Sequence, residues 1–157
     1  MKRLIVFDLD LRLWHCGPLL WCDQLTPPVR MDAVGRVISA CGTQVRLYPE
    51  VPELLDELSS RGHALSLASR TSAPAIAGRL LDLFGIARHF QHPQIYPGDK
   101  SVHFEALHRE TGVAYRNMMY FDDEERNIES VSRLGVRVAL VKQGMTRGLL
   151  ESALDAG

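Results

Sequence analysis

The sequence predicts an α/β protein built on a parallel sheet with helices on both faces. Strand-length apolar runs alternate with amphipathic helical segments through five steps along the chain. The first of them, "RLIVFD" (3–8), is apolar along its length rather than alternating, as a strand buried on both faces requires. The chain has 157 residues, which fits one domain spanning 1–157 better than two. A chain of this size buries roughly 70% of the surface its unfolded form exposes, so a core forms without staples.

The elements follow in order. "RLIVFD" (3–8) is the first strand, apolar until an aspartate ends it. "VPELLDELSSRG" (51–62) is a helix: Val51, Leu54, Leu55 and Leu58 share a face, Pro52 suits the first turn, and Gly62 stops it. "HALSLAS" (63–69) is the next strand. Ser72 is placed to cap a helix that starts at Pro74, carries Ile76, Leu80, Leu81 and Phe84, and ends at Gly85. "FQHPQIY" (90–96) is a short, weaker strand, followed by a helix over 101–112. "NMMYFDD" (117–123) is a strand ending in carboxylates, followed by a helix over 125–135 with Ile128, Val131 and Leu134 inward. A strand over 136–141 and a helix over 146–156 complete the series. Residues 11–48, rich in Gly, Pro, Trp and Cys, break the rhythm. Within them, "GRVIS" and "TQVRLY" flank "ACG" as a small hairpin. An insertion just after a strand's C-terminal end is where α/β proteins build lids and substrate loops.

The composition, 46% hydrophobic and 24% charged, is that of an ordinary soluble protein. A net charge of −1 with scattered basic residues leaves no footprint for nucleic acid. No apolar stretch approaches the ~20 residues of a membrane span, and the run in "MKRLIVFDLD" is too short for a signal peptide. The three cysteines, Cys16, Cys22 and Cys41, are an odd count without framework spacing. They suggest free thiols in a reducing compartment, and hence a cytoplasmic protein. A metal site of these with His15 and Asp23 has no CxxC or HxxxH spacing behind it, and small semi-buried side chains are the favoured reading.

In a parallel sheet all strand C-termini lie along one edge, where ligands bind. The first strand ends in Asp8 and Asp10, the second in "ASRTS" with Ser69, Arg70 and Thr71. Lys100 follows the third, and the fourth ends in "FDDEERN", presenting Asp122, Asp123 and, one helical turn on, Asn127. Residues two apart on an extended chain face the same side, so Asp8 and Asp10 can reach one bound group. Carboxylates crowded at that edge repel one another without a cation, and oxygen ligands in a small set select Mg²⁺. The chemistry that needs such a set is phosphoryl transfer through an aspartyl-phosphate. Asp8 would attack phosphorus, and Mg²⁺ and Lys100 would neutralise phosphoryl charge. Ser69 would hold an equatorial oxygen. Asp10 would protonate the leaving oxygen and then activate water. An isolated Asp-x-Asp, a lone Ser or Lys, or an acidic helix start each has an ordinary structural explanation. Their joint occurrence, in order and each at a strand end, points to the site.

These residues resemble the haloacid dehalogenase superfamily of phosphatases. More closely, "VFDLD", "LW", "LYPEVPE", "ASRTS", "IYPGDK", "FDDEERNI" and "RLGV" are similar to the magnesium-dependent phosphatase family, from about residue 3 to 145. The resemblance implies a Rossmann-like three-layer sandwich around a mainly parallel five-stranded sheet, with the first strand central. It implies no large cap, residues 11–48 supplying a small flap. It also implies Asp8 as nucleophile and Asp10 as acid/base. Mg²⁺ would be held by the Asp8 and Asp123 carboxylates and the Asp10 main-chain carbonyl, with Asp122 close by. Ser69 and Lys100 fall on phosphate-binding positions. The family's substrates are small phosphate esters, including sugar phosphates and phosphotyrosine-type aryl phosphates.

One position departs from the family pattern Asp-x-Asp-x-Thr: "DLDLRLW" carries Arg12 in place of the threonine. Either Arg12 shifts Asp10 or adds a second cation for the substrate, or it snorkels to the surface. Arg70 could fork onto a substrate phosphate or cap the neighbouring helix. Trp14 and Trp21 could stack on a substrate ring or pack the flap down. His15, His92 and His103 are read as surface residues. The favoured function is hydrolysis of a small-molecule phosphate ester, with a phosphotyrosine-containing protein as a further partner class, by a monomer that binds neither nucleic acid nor membrane. The alternatives are a phosphotransferase, which would need a larger lid to exclude water, and a catalytically weak or inactive phosphate-binding interaction protein. The order of the acidic motifs argues against a receiver domain, and the absence of GxxxxGK[ST] argues against a nucleotide-binding loop.

Overall fold

The computed structural model describes residues 2–17 and 20–156. Its centre is a five-stranded parallel sheet. The strands are β1 (Leu4–Phe7), β6 (Ala64–Ser69), β7 (Gln94–Ile95), β8 (Met118–Asp122) and β9 (Arg137–Leu140), in the order β7-β6-β1-β8-β9. β1 is central, in register from Leu4 opposite Ala64 and Met118 to Phe7 opposite Leu67 and Phe121.

Because strand side chains alternate, β1 feeds two cores. Ile5 and Phe7 face one side with Leu65, Leu67, Met119 and Phe121, where the Phe7 and Phe121 rings stack 5.6 Å apart. Leu4 and Val6 face the other with Ala68, Met118 and Tyr120. Helices α1 (Val51–Ser60), α2 (Pro74–Leu83) and α5 (Arg147–Asp155) cover the first face, and α3 (Lys100–Thr111) and α4 (Glu125–Ser132) the second. Each fully buried Leu, Ile, Val or Phe contributes roughly 1.5–3 kcal/mol. This explains why four to six residues suffice for β1, β6 and β8, which are buried almost throughout.

The helix signals act much as the sequence suggests. α1 buries Val51, Leu54, Leu55 and Leu58 and starts with Pro52 in its first turn. Asp99 caps α3, accepting from the Ser101 N–H at 2.9 Å, and Gly112, with φ 72°, turns the chain out at the other end. Ser72 does not cap α2: Ala73 occupies the cap position without a side-chain bond, and the Ser72 hydroxyl donates to Asp23 instead. α4 ends at Ser132, and its buried residues are Asn127 and Val131, with Ile128 and Leu134 half-buried.

The 11–48 insertion is more than a hairpin. Two strands, β4 (Val37–Ile38) and β5 (Gln44–Leu47), form the expected antiparallel pair. β2 (Trp14–His15) and β3 (Arg30–Met31) extend it to a four-stranded sheet, β2-β5-β4-β3. Two-residue strands carry little periodicity to detect. Trp14, Cys16, Cys22, Leu25, Val29, Val37 and Val45 tie this sheet into the first core.

Candidate active site

A cleft opens at the C-terminal edge of the parallel sheet. Its lining includes Asp8, Asp10, Ser69, Arg70, Lys100, Asp123 and Asn127, all singled out from the sequence. Trp21, Asp23, Thr71 and Glu124 complete the walls.

The chain reaches this geometry through a tight turn after β1. Leu11 adopts a left-handed φ of 66°, which costs a non-glycine residue roughly 1–2 kcal/mol. The Arg12 and Leu13 N–H groups both donate to the Leu9 carbonyl, and the Leu11 N–H donates to that of Trp14. The chain therefore folds back so that Trp14 lies beside Asp10. The Trp14 Nε1–H donates to Asp10 Oδ1 at 2.9 Å, and the Cys22 N–H lies 3.1 and 3.2 Å from the two Asp10 oxygens. Burial pushes the Asp10 carboxyl upward, against these hydrogen bonds. Trp14 itself is fully buried and does not line the cleft, so it cannot stack on a substrate. Its role is to hold Asp10. Trp21 is 48% exposed and sits at the mouth.

Asp8 accepts from the Leu9 N–H at 2.9 Å and lies 3.6 Å from Lys100 Nζ. Burial raises its carboxyl to about 7, with Lys100 opposing. Lys100, 1% exposed, donates to the Ala68 carbonyl at 2.8 Å, to the Tyr120 hydroxyl, and to Asp122 Oδ2 at 3.3 Å. Asp122 lies beneath the cleft, fully buried. Its Oδ2 accepts from Tyr120, Asn127 and Lys100, and its Oδ1 from the Asp123 and Glu124 N–H groups. Burial works against its ionisation, but Lys100 and these bonds prevail and hold it at about 2. Asp123 is half-open to the cleft, and burial raises it to about 6. Ser69 Oγ accepts from the Thr71 N–H, and Arg70 Nη1 lies 3.5 Å from Asn127 Oδ1.

Asp8, Asp122 and Asp123 each offer a carboxylate oxygen, all within 4.8 Å of one another. An all-oxygen set of hard, charged donors fits Mg²⁺ and not a thiolate- or imidazole-seeking metal. Cys16, Cys22 and Cys41 are all free thiols; the first two are buried, Cys41 is exposed, and burial raises Cys16 to about 12.

The structure decides between the two readings of Arg12 and corrects the expectation for His103. Arg12 does not snorkel: it is fully buried with Nη2 3.3 Å from Asp123 Oδ2, because the turn after β1 directs it inward. His103 is not on the surface. It shares the inward face of α3 with Lys100, Phe104 and Leu107, and its ring meets the carbonyls of Ser69, Tyr96 and Asp99 at 3.0, 2.7 and 3.1 Å. His92 is exposed and His15 half-buried. Sequence reasoning missed Tyr120, hidden within an apolar run, and the Cys22 N–H, which no side-chain pattern reports.

Comparison with known proteins gives consistent likenesses. A family described as acid phosphatase matches residues 1–156. Human "Magnesium-dependent phosphatase 1" is 44% identical over 99% of this chain and 86% of its own length. A HAD-like hydrolase superfamily protein of Schizosaccharomyces pombe is 37% identical over 85% of this chain and 82% of its own. Among solved structures, a HAD family enzyme from Bacteroides thetaiotaomicron, in complex with magnesium and inorganic phosphate, superimposes with a TM-score of 0.67. That match covers 96% of this chain and 99% of the other at 15% identity, a likeness of fold alone.

Proposed function

The chain belongs to the magnesium-dependent phosphatase family of the haloacid dehalogenase superfamily, and on that premise we propose that it is a Mg²⁺-dependent phosphatase that hydrolyses small phosphate monoesters through an aspartyl-phosphate on Asp8. The observation that carries this reading is the placement of two differently held carboxylates in one cleft. Asp8 lies beside Lys100 and the acidic cluster, whereas Asp10 is fixed by Trp14 and Cys22.

Asp8 attacks phosphorus, the bond from phosphorus to the ester oxygen breaks, and Asp10 donates its proton to the departing oxygen. The raised affinity of Asp10 for a proton suits it to begin as the acid. Water then attacks the phosphoryl group and gives a proton to Asp10. The bond to Asp8 breaks, and inorganic phosphate leaves. Ser69 and Lys100 bind phosphoryl oxygens, with Arg70 on the cleft wall beside them. The Asp8 and Asp123 carboxylates, with Asp122 behind them and the Asp10 carbonyl, would hold Mg²⁺. When bound, the ion neutralises phosphoryl charge and orients the phosphate for in-line attack.

The half-exposed Trp21 at the mouth favours a substrate with a ring, a sugar phosphate or an aryl phosphate such as phosphotyrosine, free or in a protein. The three free cysteines suit the cytoplasm. The chain is read as one catalytic domain, active as a monomer, with residues 11–48 as the flap. The test is hydrolysis of an aryl phosphate with and without Mg²⁺, by wild type and Asp8→Asn. Mg²⁺-dependent turnover that vanishes in the variant is expected. Equal inertness on aryl and sugar phosphates would favour the binding-protein alternative.

A further inference from the structure

Arg12 presents a physical difficulty. Its guanidinium is fully buried beneath the acidic end of the cleft. Nη1 donates to the Gln143 carbonyl at 3.0 Å. Nη2 comes within 3.3 Å of Asp123 Oδ2, but neither Nη2 nor Nε is aligned with a hydrogen-bond acceptor among the described residues. A buried charge with idle donors is expensive, and the guanidinium cannot escape by losing its proton.

What offsets that cost is charge. Asp8, Asp122 and Asp123 bring three carboxylates together, and Lys100 is paired with two of them. With all three ionised, as they are when they ligate a cation, the carboxylates and one lysine sum to −2, and Arg12 reduces this to −1. The main chain holds the arginine in place. The Arg12 N–H donates to the Leu9 carbonyl, and its own carbonyl accepts from the Met145 N–H at 2.9 Å. The guanidinium is thus clamped between the turn after β1 and the 143–145 segment, facing a carboxylate that the cation site also uses.

We propose that Arg12 is a resident counter-ion of the acidic cluster, which competes with the divalent cation for Asp123 and so sets the metal affinity of the site. This rests on reading Asp8, Asp122 and Asp123 as that cation's site. Carboxylate sites tune affinity by net ligand charge and rigidity. A fixed unit charge beside a ligand oxygen changes cation binding by about tenfold or more at protein-like dielectric. The same charge lets the cluster fold before any cation arrives. Arg12 therefore trades metal affinity for a preformed site.

The experiment measures binding, not turnover. Mn²⁺ binding is followed by electron paramagnetic resonance, Mg²⁺ binding by competition, and melting is recorded in chelator and in Mg²⁺. The variants are Arg12→Gln, Arg12→Met and Arg12→Lys. Both neutral variants should bind Mn²⁺ and Mg²⁺ about tenfold more tightly than wild type, and the lysine variant within about twofold of it. The neutral variants should lose stability in chelator and regain it in Mg²⁺, because the ion replaces the missing charge. Gln keeps a donor for the Gln143 carbonyl, so a purely positioning role would leave its affinity unchanged while Met weakened binding. That pattern, or neutral variants that fail to fold whether or not Mg²⁺ is present, would overturn the proposal. If wild type bound neither ion, the cation-site reading itself would fall. Tight binding by wild type with unchanged variants would remove the role of Arg12 alone.

Discussion

Trp14 holds Asp10 from behind: the indole N–H donates to the carboxylate oxygen at 2.9 Å, with the indole fully buried and the carboxyl open to the cleft. The contact fixes which way the carboxyl of the proposed acid/base faces. Trp14→Phe removes the donor and keeps most of the ring. With the Cys22 N–H still in place, kcat should fall about tenfold, part of the usual general acid/base contribution, with little change in KM. Loss of a bond to the ionised form should also move the alkaline limb of the pH–rate profile upward. An unchanged profile with lower stability would reduce Trp14 to packing.

Tyr120 extends the same logic to Lys100. Its hydroxyl donates to Asp122 Oδ2 at 2.7 Å and accepts from Lys100 Nζ. Tyr120→Phe leaves a buried ammonium short of one acceptor and Asp122 short of one donor. The cost of such unmet groups is about 1–3 kcal/mol, read as a lower urea midpoint. Because Lys100 is the cation beside Asp8, kcat should fall as well.

These two residues show what the sequence could and could not say. Asp8, Asp10, Lys100 and Asp123 were legible because each ends or follows a strand, and a parallel sheet gathers such ends at one edge. Tyr120 was invisible because an aromatic within "NMMYFDD" reads as core, which by burial it is. Packing was among the readings open to Trp14, but its bond to Asp10 was not legible, because an insertion tryptophan gives no hint that a left-handed Leu11 folds it against its own strand. His103 went unread as buried because its partners are backbone carbonyls, which leave no residue pattern. The strand-helix alternation was clear wherever elements were long, and the hairpin strands of the insertion were also read, but its two-residue strands β2 and β3 were not.

Gly144 is required by close approach. A Cβ built there would lie far inside van der Waals contact with Cγ and Cδ1 of the Tyr48 ring. The adjoining Gln143 carbonyl and Met145 N–H are the two groups that clamp Arg12. Gly144→Ala should therefore destabilise by about 1–3 kcal/mol through forced backbone movement. Tyr48→Ala opens the space, so the double variant should cost less than the sum of the singles. Additive losses in urea denaturation would show that the ring is not the obstacle.

Asp99 gives a prediction with a definite sign. It caps α3, the helix that starts with Lys100, and its carboxyl is held at about 2 by the Ser130 hydroxyl first and the Ser101 N–H next. A folded-state value below the unfolded one, near 4 for aspartate, means that the ionised form favours the fold. Its contribution is complete above about pH 4 and disappears as pH falls through about 2. Asp99→Ala should cost about 1 kcal/mol near neutrality through the lost cap. The gap between wild type and variant should narrow as the pH is lowered below 4, where wild type loses the same charge. Asp99→Asn, which can still accept from the Ser101 N–H, should fall between them. A gap between wild type and Asp99→Ala that stayed constant from pH 6 to pH 3 would mean that the cap works without its charge.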